Sequence, residues 1–151
     1  MSDQFAPIPF PHLVELALAQ VRRHHFFGIS EKKFFRPGKP NLSVVRFGQT
    51  IDTPLGVAAG PHSQMAQNIV AAWLCGARYL ELKTVQTLDR IAVAKPCIDM
   101  QDEGYNCEWS QELSLEESFD QYLDAWILIH ILHHELGFEG SASGSMVFNM
   151  S

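Results

Sequence analysis

Three short stretches of this 151-residue sequence place small or polar residues within or at the ends of apolar runs, where a flat ligand could bind. The first is Ala58-Ala59-Gly60, which closes an apolar run that begins at Pro54. Residues this small let a ring lie against the main chain, whose amides can bond the polar edge of the ring. Close packing of a strand against a helix favours the same residue types, so the spacing leaves both interpretations open.

The second stretch is Lys83-Thr84, at the end of another apolar run. In a predicted strand, Lys83 lies on the same side as Glu81 because successive side chains alternate. Burying an unpaired ammonium costs much free energy, so an anionic partner is expected. A reduced flavin is such a partner, because its pyrimidine edge carries negative charge. An ion pair with Glu81 or Asp99 is the alternative.

The third stretch is the sequence Val-Phe-Asn-Met, with Asn149 in the interior of a predicted core strand. Asparagine is unfavourable in the interior of a strand, so its amide needs a specific partner. That partner is either a bound ligand or the main chain of a neighbouring segment.

Three histidines on one predicted helix have spacing that resembles a metal site. His130 and His134 are four residues apart, with His133 between them. The order His-x-x-His-His-Glu differs from the His-Glu-x-x-His order of zinc hydrolases, which misplaces the catalytic glutamate. Cationic side chains are favourable near a helix C-terminus, so a solvated helix end is the expected structure. A hydrolase with zinc is the alternative, and no metal ligand is assigned.

The composition excludes several classes of protein. The chain has 11 Lys and Arg against 17 Asp and Glu, a net charge of −6 that argues against nucleic acid as a partner. No apolar run reaches the roughly 18 residues of a membrane span, and no signal peptide is visible. Cys75, Cys97 and Cys107 include no CxxC pair, which indicates reduced thiols in a cytoplasmic protein.

The elements that must position these residues follow a strand–helix–strand order. Residues 42–52 are predicted to form two strands about Gly48, and residues 54–60 a fully buried strand. A helix capped by Ser63 is expected to run to Leu74, and residues 77–85 form the next strand. This order predicts a βαβ unit with a parallel sheet.

Helices are also predicted before and after this unit. One covers residues 12–27 and is followed by a surface loop over residues 29–41. Residues 86–111 are long and irregular, and then Ser114 and Glu117 form a capping box for a helix to Glu135. Its apolar face is predicted to contain Phe119, Tyr122, Leu123, Trp126, Ile127, Ile129 and Ile131. A third buried strand begins at residue 145.

These segments resemble a known family of flavin barrels. The stretch from Phe47 to Gly60 resembles the start of the dihydroorotate dehydrogenase barrel, a hairpin followed by a Pro-x-Gly-x-Ala-Ala-Gly strand. The segment Glu81-Leu-Lys-Thr-Val is similar to the second-strand Thr-Lys-Thr segment of the dihydropyrimidine dehydrogenase flavin domain. Further segments look like the N-terminal region of the selenate reductase subunit family: Gly60–Asn68, Glu81–Gln86, Lys95–Asp99, Asp102–Asn106, Glu108–Ser110 and Phe148–Ser151.

The resemblance implies an α/β fold, the N-terminal part of a dihydroorotate dehydrogenase-like (β/α)8 TIM barrel that is incomplete in this chain. Residues 1–41 would be a helix and loop extension, and residues 42–151 the hairpin and barrel strands 1 to 3. A small three-stranded domain, complete in itself, is the alternative.

For function, the resemblance implies an oxidoreductase whose barrel passes electrons through FMN. Ala58, Ala59 and Gly60 would lie against the flavin, Lys83 and Thr84 would contact its polar edge, and Asn149 would lie near the pocket. The catalytic Cys or Ser of such barrels lies on a later loop, so no catalytic residue is assigned. FAD, NADPH and 4Fe-4S sites belong downstream, in other redox domains or subunits that are the expected partners.

One departure from the family pattern favours a different function. Relatives often have a lysine shortly after Ala-Ala-Gly, where this sequence has His62, Ser63 and Gln64. The alternative is therefore a barrel that has lost its cofactor and serves as a scaffold for other redox domains. His62 and Asn68 are the candidates to replace the lysine.

Overall fold

A three-stranded parallel sheet covered by helices forms the centre of the protein. The computed structural model describes residues 5–36, 41–46, 48–85, 87, 98–99, 105–106, 112–138 and 146–150. The sheet has the order β5 (Gly56–Val57), β6 (Tyr79–Leu82), β9 (Val147–Met150), and both pairs are parallel. Helix α2 (Ala66–Leu74) connects β5 to β6, and α3 (Leu115–Glu135) lies between β6 and β9 in the sequence. The predicted βαβ unit is therefore confirmed.

The core lies between this sheet and the helices. Leu80, at the centre of β6, is fully buried, as are Trp73 on α2 and Leu128 on α3. Apolar burial of this kind is the main favourable free-energy contribution to folding. Helix α2 stops where expected, because Gly76 adopts φ +104° and terminates the last turn.

The first strand of the sheet differs from its prediction. Strand β5 has only two residues instead of seven, and Leu55 just before it is 52% exposed. Ala58 and Ala59 are exposed as well. Within the described residues β5 pairs only with β6, so its other edge lacks the second strand that would bury it. The prediction of a fully buried strand was wrong, whereas its position in the chain was right.

Helix α3 begins as predicted, but it buries a different face. The Ser114 side chain accepts a hydrogen bond from the Glu117 amide, and the Glu117 carboxylate accepts one from the Ser114 amide. The capping box is thus confirmed. Phe119, Leu123 and Trp126, predicted to be buried, are exposed. The buried positions are Ser118, Gln121, Ala125, Leu128, Ile129 and Leu132.

The N-terminal helix is shorter than predicted. Helix α1 covers Phe10–Val21, not residues 12–27, and His24 with φ +61° follows it. The next residues form a tight hairpin of β1 (His25–Phe26) and β2 (Ile29–Ser30). Phe26 is fully buried in this hairpin. Burial of an aromatic side chain therefore outweighs continuation of the helix.

A second hairpin precedes the sheet and is confirmed. Strands β3 (Val44–Arg46) and β4 (Gln49–Ile51) pair antiparallel, with φ +74° at Gly48 in the turn. Asp52, directly after β4, forms a buried ion pair with Arg78, directly before β6. The hairpin is thus held to the beginning of the central strand.

Two short strands lie in the segment predicted to be irregular. Strands β7 (Ile98–Asp99) and β8 (Tyr105–Asn106) pair antiparallel. The rest of that segment, residue 87 apart, and the 1–4, 37–40 and 139–145 stretches lie outside the described residues. The boundary at 41/42 stays a prediction. None of the helices in the described ranges is long and apolar enough to span a membrane.

A hydrogen bond between helices replaces the missing cap of α2. The prediction that Ser63 caps α2 was wrong, because Ser63 lies in the short 3-10 turn Pro61–Gln64 and α2 begins only at Ala66. The N-cap residue, Met65, has no side-chain oxygen, and the Gln121 amide oxygen on α3 accepts from the Ala66 amide at 3.0 Å. Both residues are buried. We expect Gln121→Leu to lower the free energy of unfolding by about 1–3 kcal/mol, because a buried amide loses its partner. Urea denaturation would measure the loss, with Gln121→Glu as the control that keeps an acceptor.

Candidate functional site

The predicted ligand-binding residues lie at one edge of the parallel sheet. Ala58, Ala59 and Gly60 follow β5 directly, and Lys83 and Thr84 follow β6 directly. Because the strands are parallel, these C-terminal ends meet at the same edge. In α/β folds of this kind, ligands bind outside the carboxyl ends of the strands.

The strand register shows which residues share a face of the sheet. Leu80 pairs with Val57 on one side and Phe148 on the other, and all three pack against the helical core. Glu81 and its partner Asn149 therefore lie on the opposite face. Continuing the alternation by one residue past each strand places Ala58 and Lys83 on this face too. We call this face the open face; it carries Asn149, and the continued alternation assigns Ala58 and Lys83 to it.

Glu81 connects the ends of two strands on the open face. Its carboxylate oxygen Oε2 accepts a hydrogen bond from the main-chain amide of Ala59 at 3.2 Å. Glu81 also stands in register with Asn149 on β9. The carboxylate therefore lies between β5 and β6 and orients the exposed main chain that follows β5. Asp99, the other carboxylate considered for Lys83, has a side chain outside the described part of the chain.

Lys83 is almost completely buried, with only 6% of the residue exposed, whereas its neighbour Thr84 is exposed. The hydroxyl of Tyr122 on α3 donates a hydrogen bond to the Lys83 carbonyl oxygen at 3.4 Å. Burial raises the pKa of the Tyr122 phenol, so the hydroxyl keeps its proton and remains a donor at neutral pH. Helix α3 thereby fixes the main chain at the end of β6.

Gly60 is tied to the turn that follows it. The Ser63 hydroxyl accepts from the Gly60 amide and donates to the Gly60 carbonyl oxygen, both at 3.0 Å. A Cβ atom at position 60 would lie 2.7 Å from the imidazole of His62, so a larger residue would require this exposed side chain to move. The Asn68 amide donates to the His62 carbonyl oxygen at 2.9 Å. His62 and Asn68 are thus neighbours at this strand end and both are exposed.

Sequence reasoning missed one buried polar group near this strand end. Gln64 is 1% exposed, and its amide nitrogen donates to Glu112 at 2.6 Å. Its amide oxygen Oε1 has no partner among the described residues. A buried acceptor without a donor costs free energy, so a ligand N–H would be favourable there. A polar side chain four residues after the strand-end glycine was the signal that could have identified it.

Three features at or near the open face would suit the binding of a flat ring. They are the exposed main chain of small residues, a buried cation and, nearby, a buried acceptor. These features fit the aromatic surface and the polar edge of a flavin. The residues that would hold the flavin phosphate are contributed by the last two βα loops of such barrels, which these strands do not include.

The histidine-rich end of α3 shows no metal site. His130 is exposed, and its ring lies edge-on to Trp126 at 4.5 Å between centroids. Across the described ranges, no group of three or more His, Cys, Asp or Glu side chains could hold a metal ion. The zinc-hydrolase alternative therefore has no structural support in this part of the chain.

Comparison with known proteins supports the barrel interpretation. Residues 27–151 match the family described as "Oxidoreductase YgfK, N-terminal TIM-barrel domain". Two relatives, both named "Putative oxidoreductase YgfK", come from Escherichia coli K12 and O157:H7 and are 49% identical over 153 residues. The match covers 100% of this chain but only 14% of each relative. No solved structure matches the chain significantly.

Proposed function

Since the chain belongs to the family of oxidoreductase YgfK N-terminal TIM-barrel domains, we propose that it is a flavin-binding electron-transfer module of a longer oxidoreductase. The family supplies the TIM-barrel fold and the oxidoreductase class. The flavin, its FMN form and the electron-transfer role are our proposal, which rests on the residues at the strand ends.

The burial of Lys83 is the observation that carries this proposal. Lys83 is 6% exposed at the C-terminal end of the central strand, a position from which its ammonium can meet an anionic ligand. Bound FMN would supply the capacity to accept and pass on electrons. Lys83 would offset the charge on the polar edge of the reduced ring, and the main chain at Ala58 and Ala59 would support its flat surface.

The remaining assignments concern the longer polypeptide. FAD, NADPH and 4Fe-4S sites would lie in other redox domains or subunits, the partners to which this barrel passes electrons. Selenate is the acceptor suggested by the resemblance to selenate reductase subunits, and we keep it as the first acceptor to assay. A cytoplasmic location agrees with the thiols and with the reduced pyridine nucleotide that such an enzyme would use.

One observation favours a second candidate function, a scaffold barrel without cofactor. Where dehydrogenase relatives often carry a lysine, this chain has the exposed His62, and the Ala59 amide is already bonded to Glu81. A scaffold would bring other redox domains together and would have no use for the open face. The complete polypeptide would then bind no FMN.

We expect Lys83→Ala in the complete polypeptide to weaken FMN binding about tenfold, the loss of one charge-assisted hydrogen bond of about 1.5 kcal/mol. The midpoint potential of the bound flavin should fall by roughly 30 mV, since the reduced form loses the larger stabilisation. Titration with FMN and spectroelectrochemistry would measure both quantities.

The matched control is Lys33→Ala, which removes an exposed lysine near the N-terminus. It should leave affinity and potential unchanged. Equal affinity and potential for Lys83→Ala and the unsubstituted protein would remove the role assigned to Lys83. The scaffold function would remain if neither protein bound FMN.

A further inference from the structure

Helix α3 has a second apolar face that the described structure leaves uncovered. Leu115, Phe119, Leu123 and Trp126 are 50%, 63%, 42% and 50% exposed. Their spacings of four, four and three residues place them on one side of the helix. We call these four residues the outer stripe. A contiguous stripe of large apolar side chains is unusual on a free protein surface and indicates an interface.

The position of the outer stripe in the fold points to what covers it. Gln121, which bonds the Ala66 amide of α2, lies roughly opposite the stripe at about 100° of rotation per residue. Ile129 and Leu132 belong to the buried face of the helix. The stripe therefore faces away from α2, toward the side of the sheet on which β9 is the last described strand.

We propose that the outer stripe is the docking surface for the helix of the βα unit that follows β9 in the longer polypeptide. The family is a TIM barrel, which has eight strands, whereas the described parallel sheet has three. The chain spans 14% of the length of its relatives, so they contain ample sequence for the remaining units. In a parallel barrel each new helix packs beside the preceding one, as α3 packs beside α2.

The residues of the outer stripe and its border also indicate what kind of helix would pack on it. Apolar residues at positions i, i+4, i+8 and i+11 suit an amphipathic helix whose own apolar residues have a 3.6-residue period. Glu116 and Asp120 follow two stripe residues directly and are exposed at its border. Near them, Asp124 has a pKa raised by burial and by the charge of Asp120. Long Lys or Arg side chains of the occupant would therefore reach these carboxylates from beside the interface, while the carboxylates stay in contact with water.

The test is thiol labelling of two single variants of the complete polypeptide, Phe119→Cys in the stripe and Asp120→Cys beside it. Modification at each position is measured by peptide mass spectrometry, which separates these thiols from the natural cysteines. We expect the thiol at position 119 to react at least tenfold more slowly than the one at position 120 under native conditions. In urea the two rates should be equal, because packing alone causes the difference.

Footprinting of the unsubstituted complete polypeptide with hydroxyl radicals gives the same information without a substitution. Phe119 and Trp126 should be strongly protected relative to the urea-unfolded protein. Equal labelling of positions 119 and 120 in the native protein, with Phe119 and Trp126 unprotected, would overturn the proposal. Protection that disappears on dilution would also overturn it, because the occupant would then be a second copy of the polypeptide.

Discussion

Replacing Arg78 with methionine should cost the protein about 3–5 kcal/mol of stability, the largest loss that we expect from any single substitution. The guanidinium is fully buried, and its Nε atom donates to the Asp52 carboxylate at 2.8 Å. Its Nη1 atom donates to the carbonyl oxygens of Trp73 and Ala77, also at 2.8 Å. The central carbon of the group lies over the rings of Phe35 and Trp73. Methionine would fill similar space but would leave the buried Asp52 carboxylate without this cation.

Hydrogen exchange in the complete polypeptide would measure the effect. Amides of α2 and β6 should exchange faster by roughly two to four orders of magnitude, which corresponds to the expected loss. The control is Arg22→Met, which removes an exposed ion pair with Glu135 at 3.4 Å. Exposed pairs contribute less than about 1 kcal/mol, so α2 and β6 should hardly respond. Similar exchange in both variants would show that the Arg78–Asp52 pair does not hold the hairpin to the sheet.

Replacing Ala58 with leucine should abolish most of the FMN affinity while leaving stability nearly unchanged. Ala58 is exposed and follows Val57, whose side chain packs on the helical core, so a larger side chain at position 58 would extend over the open face. Overpacking of a ligand site by about 1–3 kcal/mol corresponds to a loss of affinity of roughly 5- to 150-fold. Titration of the complete polypeptide with FMN would measure the affinity, and urea denaturation the stability.

The matched control is Ala19→Leu, another exposed alanine, on α1 and distant in sequence from the strand ends. It should change neither quantity. Unchanged FMN affinity in the Ala58→Leu variant would mean that the ring does not lie against the main chain after β5. A large loss of stability in that variant would instead indicate close packing of Ala58, the alternative that the sequence left open.

Several features of the fold that depend on local chemistry were predictable from the sequence, although the predicted Ser63 cap of α2 was not among them. The capping box at Ser114, the turn at Gly48 and the helix stop at Gly76 each require particular residues, and all three were confirmed. The order of strand, helix and strand also followed, because hydrophobic periodicity reports whether each segment is extended or helical.

The parts of the fold that depend on contacts between residues far apart in the sequence were not predictable from local patterns. The burial of Ser118 and Gln121 on α3 reflects where α2 and the sheet lie, and the Gln121 bond to the Ala66 amide is made across 55 positions. The exposed outer stripe contributed as much to the apolar pattern as the buried residues did. Periodicity therefore identified the helix but assigned too wide an apolar face.

The candidate site likewise combines features that were predictable from the sequence with contacts that were not. Parallel strand order predicted that Ala58, Lys83 and Asn149 would come to one edge, where Ala58 and Lys83 each follow a strand directly and Asn149 pairs with Glu81; their role in binding stays a prediction. The contacts that shape this edge were not visible in the sequence: Glu81 with the Ala59 amide, and Gln64 with Glu112. Such pairs depend on side-chain direction at strand ends, which no local pattern specifies.

The most direct test of a flavin site at the open face is the flavin content of the complete polypeptide, purified without added cofactor. We predict the yellow absorbance of an oxidised flavin and, after heat release and chromatography, FMN at about one molecule per chain in addition to any FAD. A preparation that contains no FMN, and that fails to bind it on titration, would contradict the account and would leave the barrel as a scaffold.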